Sequence, residues 1–363
     1  MPRTILAILP LPLLALAAAP PTADRCAAAR QATGYVCQAT AGGVVLAANQ
    51  AGAARLAVHA TAGEARWRDH FGSAVTSYAV VENLGPGMTK ALHAAGFPIV
   101  LPWLNPGQYV TASTESVRRA TEMQVKAQGI TDLAQVRGAV DQAVTAWQAK
   151  HPPAEWLGKE AGAVPHEIGH MWYIARYWPR AAVDGTGHYG GPGPDWMDET
   201  AAVLMEDDQL ANDRRKQFAT YFADQTPTGT GARTTLTDLA AFLHREHPAK
   251  AMSDMIAARA GSSSGPRVMV VSAEEAKGQA QAAGLFYLQA RMFADYLIAK
   301  SGNPAVFADI GTAFGRGQSI EQWLAARGKH WHLGLTVEAL QEDWKAWLAG
   351  NQGDVNRRAS PGV

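Results

Sequence analysis

The chain has 363 residues, enough for one large or two medium domains, because single hydrophobic cores stop growing at about 250–300 residues. Hydrophobic residues make up 47% and charged residues 18%, a globular composition that excludes a largely disordered chain. Lys plus Arg total 32 and Asp plus Glu total 32, so the formal net charge is zero; no broad basic field draws nucleic acid or anionic lipid, and neither is expected as a partner.

The first segment, MPRTILAILPLPLLALAAAPP, sets Arg3 ahead of an apolar run that reaches Ala19, with an A-x-A pattern at Ala15 and Ala17. It reads as a signal peptide over residues 1–19 and predicts a periplasmic or secreted protein with no stable membrane insertion after cleavage. The run is short and proline-broken against the roughly 20 apolar residues of a membrane span; an uncleaved anchor is the alternative. Cys26 and Cys37 follow and are expected to be bridged in an oxidising compartment.

Residues 20–150 are expected to form an N-terminal α+β region. Residues 44–48 and 55–60 read as the strands of a hairpin around the turn-like Asn49-Gln50-Ala51-Gly52, residues 67–95 as mostly helical with a break at Gly85-Pro86-Gly87, and residues 97–104 (FPIVLPWL) as a short buried strand. Residues 113–149 carry the periodicity of two helices broken near Gly129. Leu133, Val136, Val140, Ala143, Val144 and Trp147 mark one face.

Residues 151–350 are expected to hold a second, mainly helical region that ends in a C-terminal helical lobe. A helix from Ala161 carries HEIGH, with Pro165 in its first turn, where no N–H is needed, and stops before Pro179. The Gly- and Pro-rich DGTGHYGGPGPDW, residues 184–196, must be a loop. Helices are predicted over 195–210 and 236–244, a flexible connector at 261–266, and three or four helical pieces after Ala273. Residues 351–363 are expected to be a disordered tail.

His166 and His170 stand four residues apart, one turn along one helix face, where both imidazoles can reach a single tetrahedral Zn²⁺. Glu167 lies beside them and can take a proton from a water that the metal has acidified, then return it to the leaving group. Downstream, WMDETAA places Glu199 on a helix just after the Gly-rich loop, where that helix can fold back across the first. Two histidines and Glu199 leave one coordination position open, the pattern of a catalytic site and not of a closed structural one. The shorter pattern H-E-x-x-H-x-x-G-x-x-H is excluded, because Tyr173 and Arg176 occupy its last two positions.

HEIGHMW followed by WMDETAAVLME resembles the gluzincin superfamily of zinc metallopeptidases. The resemblance implies Glu199 as third ligand, Trp196 as the aromatic before it and Glu206 as a later acidic residue that orients a ligand His. LFYLQARMFADYL resembles the helix that presents a tyrosine to the oxyanion, with Tyr287 in that position, and LTVEALQEDWKAWL resembles the closing helix of small bacterial gluzincin domains. The implied fold is α+β and zincin-like (thermolysin-like): a small mixed-sheet lobe followed by a mainly α-helical lobe. The implied activity is Zn²⁺-dependent hydrolysis of a peptide or protein substrate, with Glu167 and Tyr287 catalytic and His166, His170 and Glu199 on the metal. The aminopeptidase branch has a shorter interval before its ligand Glu and a G-x-M-E-N strand a few tens of residues before its HExxH. Here Val81-Glu82-Asn83 lies too far upstream, so aminopeptidase specificity is not implied.

Other readings stay open at this point. Asp198 is an alternative third ligand, and His188 is a lid residue contacting substrate, a transient ligand or simply solvated. The pairs His244/His247 and His330/His332 read as surface histidines, and Trp172 and Trp178 as core. A metal-binding protein of this fold without peptidase activity, or a zinc hydrolase acting on a non-peptide bond such as an ester or epoxide, are the alternative functions.

Overall fold

The computed structural model describes residues 22–72, 74–181, 191–223, 231–248, 250 and 273–359. The expected signal peptide, His188 and the 261–266 connector lie outside the described residues. The N-terminal part runs α1 (Thr22–Thr33), β1 (Val36–Ala39), β2 (Gly43–Ala47), α2 (Gln50–Phe71), β3 (Tyr78–Glu82), α3 (Met88–Ala94) and β4 (Ile99–Trp103). Its strands form one mixed sheet in the order β1-β2-β3-β4, with β1 antiparallel to β2 and the other neighbours parallel. A Cys26–Cys37 disulfide ties α1 to β1.

Two elements differ from the sequence reading. Residues 55–60 are not a hairpin strand but the second turn onward of α2. The turn-like Asn49 is its N-cap, its side chain accepting the Gly52 N–H, and Gly72 closes the helix at φ 63°. Residues 78–82, read within a helical stretch, form β3. Every position of β3 is buried, because both faces of the sheet are covered, and a strand buried on both sides shows no alternation to read. On one face Val44, Leu46, Ala79, Val81 and Val100 pack with Ala29 and Leu92 of α1 and α3. On the other, Val45, Tyr78, Val80 and Ile99 join the main core with Leu56 and Trp67 of α2.

A hairpin of α4 (Pro106–Ala127) and α5 (Leu133–Lys150) follows, the first helix starting seven residues before the expected 113, with a small core of Val125, Val136, Val140 and Val144. Leu133, expected on the buried face, is 73% exposed at the first position of its helix. Then α6 (Pro153–Tyr177) begins earlier than expected, so Pro165 sits in the middle of the helix and not in its first turn. It has no N–H for the carbonyl one turn back, and its ring packs toward α2, where a Cβ on Gly63 would stand 3.0 Å from Pro165 Cβ.

The helical part continues with α7 (Asp195–Met205), α8 (Asp208–Ala223), α9 (Ala232–Thr237), α10 (Leu239–His244), α11 (Ala273–Ser301), α12 (Val306–Gly315), α13 (Ile320–Arg327) and α14 (Val337–Ala359). The helix predicted over 195–210 is two helices, broken where Glu206 turns extended. The last helix continues through Ala359, into the stretch whose composition predicts a disordered tail. In the main core, edge-on ring contacts join Trp67 of α2 to Trp172 of α6, and Trp196 of α7 through Phe293 of α11 to Trp344 of α14, with Trp172 wholly buried as expected and Trp178 partly so. Among the described residues no helix is long and apolar enough to cross a membrane.

One ion cluster fastens α6 to the sheet. Arg55 on α2 reaches Glu82 at the end of β3 (2.6 Å) and Glu160 on α6 (2.7 Å), while Trp103 Nε1 of β4 donates to Glu160 at 2.9 Å. Both carboxylates are buried, so removing the cation leaves two charges without compensation. Arg55→Ala is expected to lower the unfolding free energy in a urea titration by about 3 kcal/mol; a loss below about 0.5 kcal/mol, ordinary for a surface change, would contradict this role.

Candidate metal centre

The site is built where α7 crosses α6. His166 and His170 project one turn apart from α6, with ring centroids 5.0 Å apart. The crossing is at Gly169, inside HEIGH. A Cβ there would lie 2.8 Å from Met205 Cγ, 3.1 Å from Ala202 Cα and 3.3 Å from the Ala201 carbonyl, so only glycine lets α7 come this close. The approach sets Glu199 opposite both imidazoles. Its Oε1 is 3.5 Å from His166 Nε2 and its Oε2 is 3.7 Å from His170 Nε2.

The three donor atoms lie within 4.8 Å of one another, and all three residues are buried; among the described residues no other group of His, Cys, Asp and Glu side chains meets this geometry. Donors at about 2.0–2.1 Å from a tetrahedral ion stand about 3.4 Å apart, so the observed separations need little adjustment to hold one. Glu199 is 1% exposed, and neither of its carboxylate oxygens accepts a hydrogen bond. A buried carboxylate in that state fits a bound cation.

The electrostatics agree. Burial raises the pKa of Glu199 to about 7, with His166, His170 and Arg214 pulling the other way. Burial opposes a charge on His170, yet the carboxylates of Asp198, Glu199 and Glu167 raise its pKa to about 10. The cluster therefore takes up positive charge readily, as a proton or as a cation.

The outer ring nitrogens are held from behind. His166 Nδ1 is 2.8 Å from Glu206 Oε1, a carboxylate kept ionised because the bonds from His166 and Arg214 outweigh its burial. His170 Nδ1 is 3.1 Å from Asp198 Oδ1. Glu206 thus stands behind His166. Asp198 is likewise behind the ring of His170, away from the three converging donors. Such contacts leave each Nε2 pointing into the centre.

Glu167 is half-buried on α6 beside the two histidines. Tyr287 of α11 is also half-buried, with its ring 6.0 Å from that of His166. Arg291, one turn further on, is buried and turned to the Val203 carbonyl and Asp295. Val81-Glu82-Asn83 is engaged at the sheet end through Arg55.

One residue is corrected. His247, read as a surface histidine, is 1% exposed and stands at the centre, with Nε2 3.7 Å from Glu199 Oε2 and its ring 4.8 Å from Phe286 and 5.3 Å from Tyr287. Its backbone N–H donates to Asp195 Oδ2 at 2.6 Å, a contact between the start of α7 and a loop about fifty residues later in the chain that no local pattern announces. His244 remains exposed beside Glu321, and His330 and His332 are exposed.

Comparison with known protein families, with curated proteins and with solved structures finds no match to this chain. The functional reading therefore rests on the geometry of these side chains.

Two outcomes are expected of the centre. Gly169→Val should push α7 away from α6, costing about 1–3 kcal/mol of stability and weakening divalent-ion binding in a chelator competition; unchanged binding would show that the close approach does not position Glu199. Because His170 and Glu199 hold protons that an ion must displace, apparent metal affinity should rise from pH 6 to pH 8, and calorimetry in buffers of different ionisation enthalpy should detect proton release. A pH-independent affinity would contradict the assignment of these donors.

Proposed function

We propose that the chain is an exported zinc metallopeptidase of the gluzincin type, hydrolysing peptide bonds. The observation that carries this reading is the convergence of His166, His170 and Glu199 from two helices onto one point, with Glu167 and Tyr287 beside it. Two imidazole nitrogens and one carboxylate oxygen are the donor set of catalytic zinc sites that keep a position open. The small mixed sheet before the metal helix and the helical part after it also suit a zincin-like lobe pair. When bound, Zn²⁺ supplies Lewis acidity, making water nucleophilic at neutral pH and polarising a carbonyl.

The protein's own groups do the rest. Glu206 and Asp198 fix the orientation of the two imidazoles from behind. Glu167 carries the proton: its carboxylate accepts one from the attacking water and delivers it to the departing amine. The Tyr287 hydroxyl donates to the carbonyl oxygen of the substrate as negative charge develops there. Neither role is needed in a protein that merely holds a metal, which favours an active enzyme. The Cys26–Cys37 disulfide suits the oxidising compartment that residues 1–19 imply.

Purified from metal-replete medium, the protein should contain about one zinc per chain. Glu167→Gln should retain that zinc while hydrolysis of a mixed peptide library falls by about 100-fold or more, and Tyr287→Phe should lower kcat by about 100-fold with KM little changed. Zinc-free protein, or a Glu167→Gln variant with full activity, would overturn the proposal. Turnover of an ester panel but of no peptide would reassign the bond that is cleaved.

A further inference from the structure

Arg214 on α8 belongs to none of the sequence patterns that mark the centre, yet it touches two of its parts. Its side chain is 15% exposed. Nε lies 2.8 Å from Glu206 Oε1 and 2.7 Å from Oε2, and Nη2 also meets Oε1. The same Oε1 accepts from His166 Nδ1 at 2.8 Å, so one carboxylate oxygen is shared between an imidazole and a guanidinium. The guanidinium carbon Cζ lies over the Tyr287 ring, 4.9 Å from its centroid. A closed circuit results: His166, Glu206, Arg214, Tyr287 and back to His166, whose ring is 6.0 Å from that of the tyrosine.

We propose that Arg214 is a positioning residue that sets the metal-holding imidazole and the oxyanion-facing tyrosine in register with each other. The inference rests on the metallohydrolase reading above. Its physical basis is the planarity of guanidinium, which grips a carboxylate with its edge and packs on an aromatic ring with its face. With the guanidinium present, both oxygens of buried Glu206 are gripped and the carboxylate is stationary against His166 Nδ1. Without it, the carboxylate is free to turn, and His166 loses the partner that orients its Nε2. Lysine, a point charge on a flexible stem, cannot hold carboxylate and ring at once.

The test uses the full chain, stripped of metal and titrated with Co²⁺, whose visible absorption bands report the geometry of the ligand set independently of turnover. Wild type is compared with Arg214→Lys, Arg214→Met, Glu206→Gln and the double variant Arg214→Met/Glu206→Gln, with thermal unfolding followed alongside. Each single change is expected to weaken Co²⁺ binding by about 10–100-fold and to shift the bands, and the double variant should bind no more weakly than Glu206→Gln alone, because Arg214 acts through Glu206. Arg214→Lys decides the matter alone if Arg214→Met fails to fold. Co²⁺ affinity and bands unchanged in the Arg214 variants, or fully additive losses in the double variant, would overturn the proposal. Wild-type protein that binds no Co²⁺ would instead overturn the metallohydrolase reading beneath it.

Discussion

Glu199 is a carboxylate placed out of reach of water, with no hydrogen bond to either oxygen and three imidazole nitrogens, of His166, His170 and His247, within 3.7 Å. An isolated buried carboxylate is unstable by many kcal/mol and escapes by taking a proton or by holding a cation. The upward shift of both Glu199 and His170 is the signature of that demand: protons are retained where positive charge is wanted. Much of the surrounding structure can be understood as what keeps this carboxylate and these imidazoles facing one another.

Packing supplies the position, and the carboxylates behind the rings the aim. Glycine at 169 brings α7 onto α6, and Gly63 lets α2 close on the same helix at Pro165. Arg55 links α2, the end of β3 and the N-terminal half of α6, tying the sheet to the helix that carries His166 and His170. Behind the imidazoles, Glu206 and Asp198 fix ring orientation. A centre assembled from α6, α7, α8, α11 and the loop after α10 is then held by elements that are themselves buried in a common core.

The parts legible in the sequence were those set by local spacing. Two histidines four apart define a helix face whatever lies around them, the valines of α5 repeat at helical period, and the acidic residue after a Gly-rich loop announced α7. Strand β3 was not legible because Ala79, Val80 and Val81 are buried in succession between two layers of helices, which removes the alternation that identifies a half-exposed strand. Asn49 and Gly52 misled for a related reason: the same residue types cap a helix and turn a hairpin, and Leu56, Ala57 and Ala60 decide between them only once α2 is seen packing on the sheet. His247 and Arg214 were out of reach, since each reaches the centre through tertiary packing and no repeat or spacing ties it to HEIGH.

The central claim is that two imidazoles and the Glu199 carboxylate hold one zinc ion. X-ray absorption at the zinc edge of the metal-loaded protein tests it most directly. The account requires a four-coordinate shell of nitrogen and oxygen at about 2.0–2.2 Å, with two imidazole scattering paths and no sulfur, and the loss of one oxygen contribution in Glu199→Ala. A shell with one imidazole or none, or one that is the same in Glu199→Ala, would contradict it.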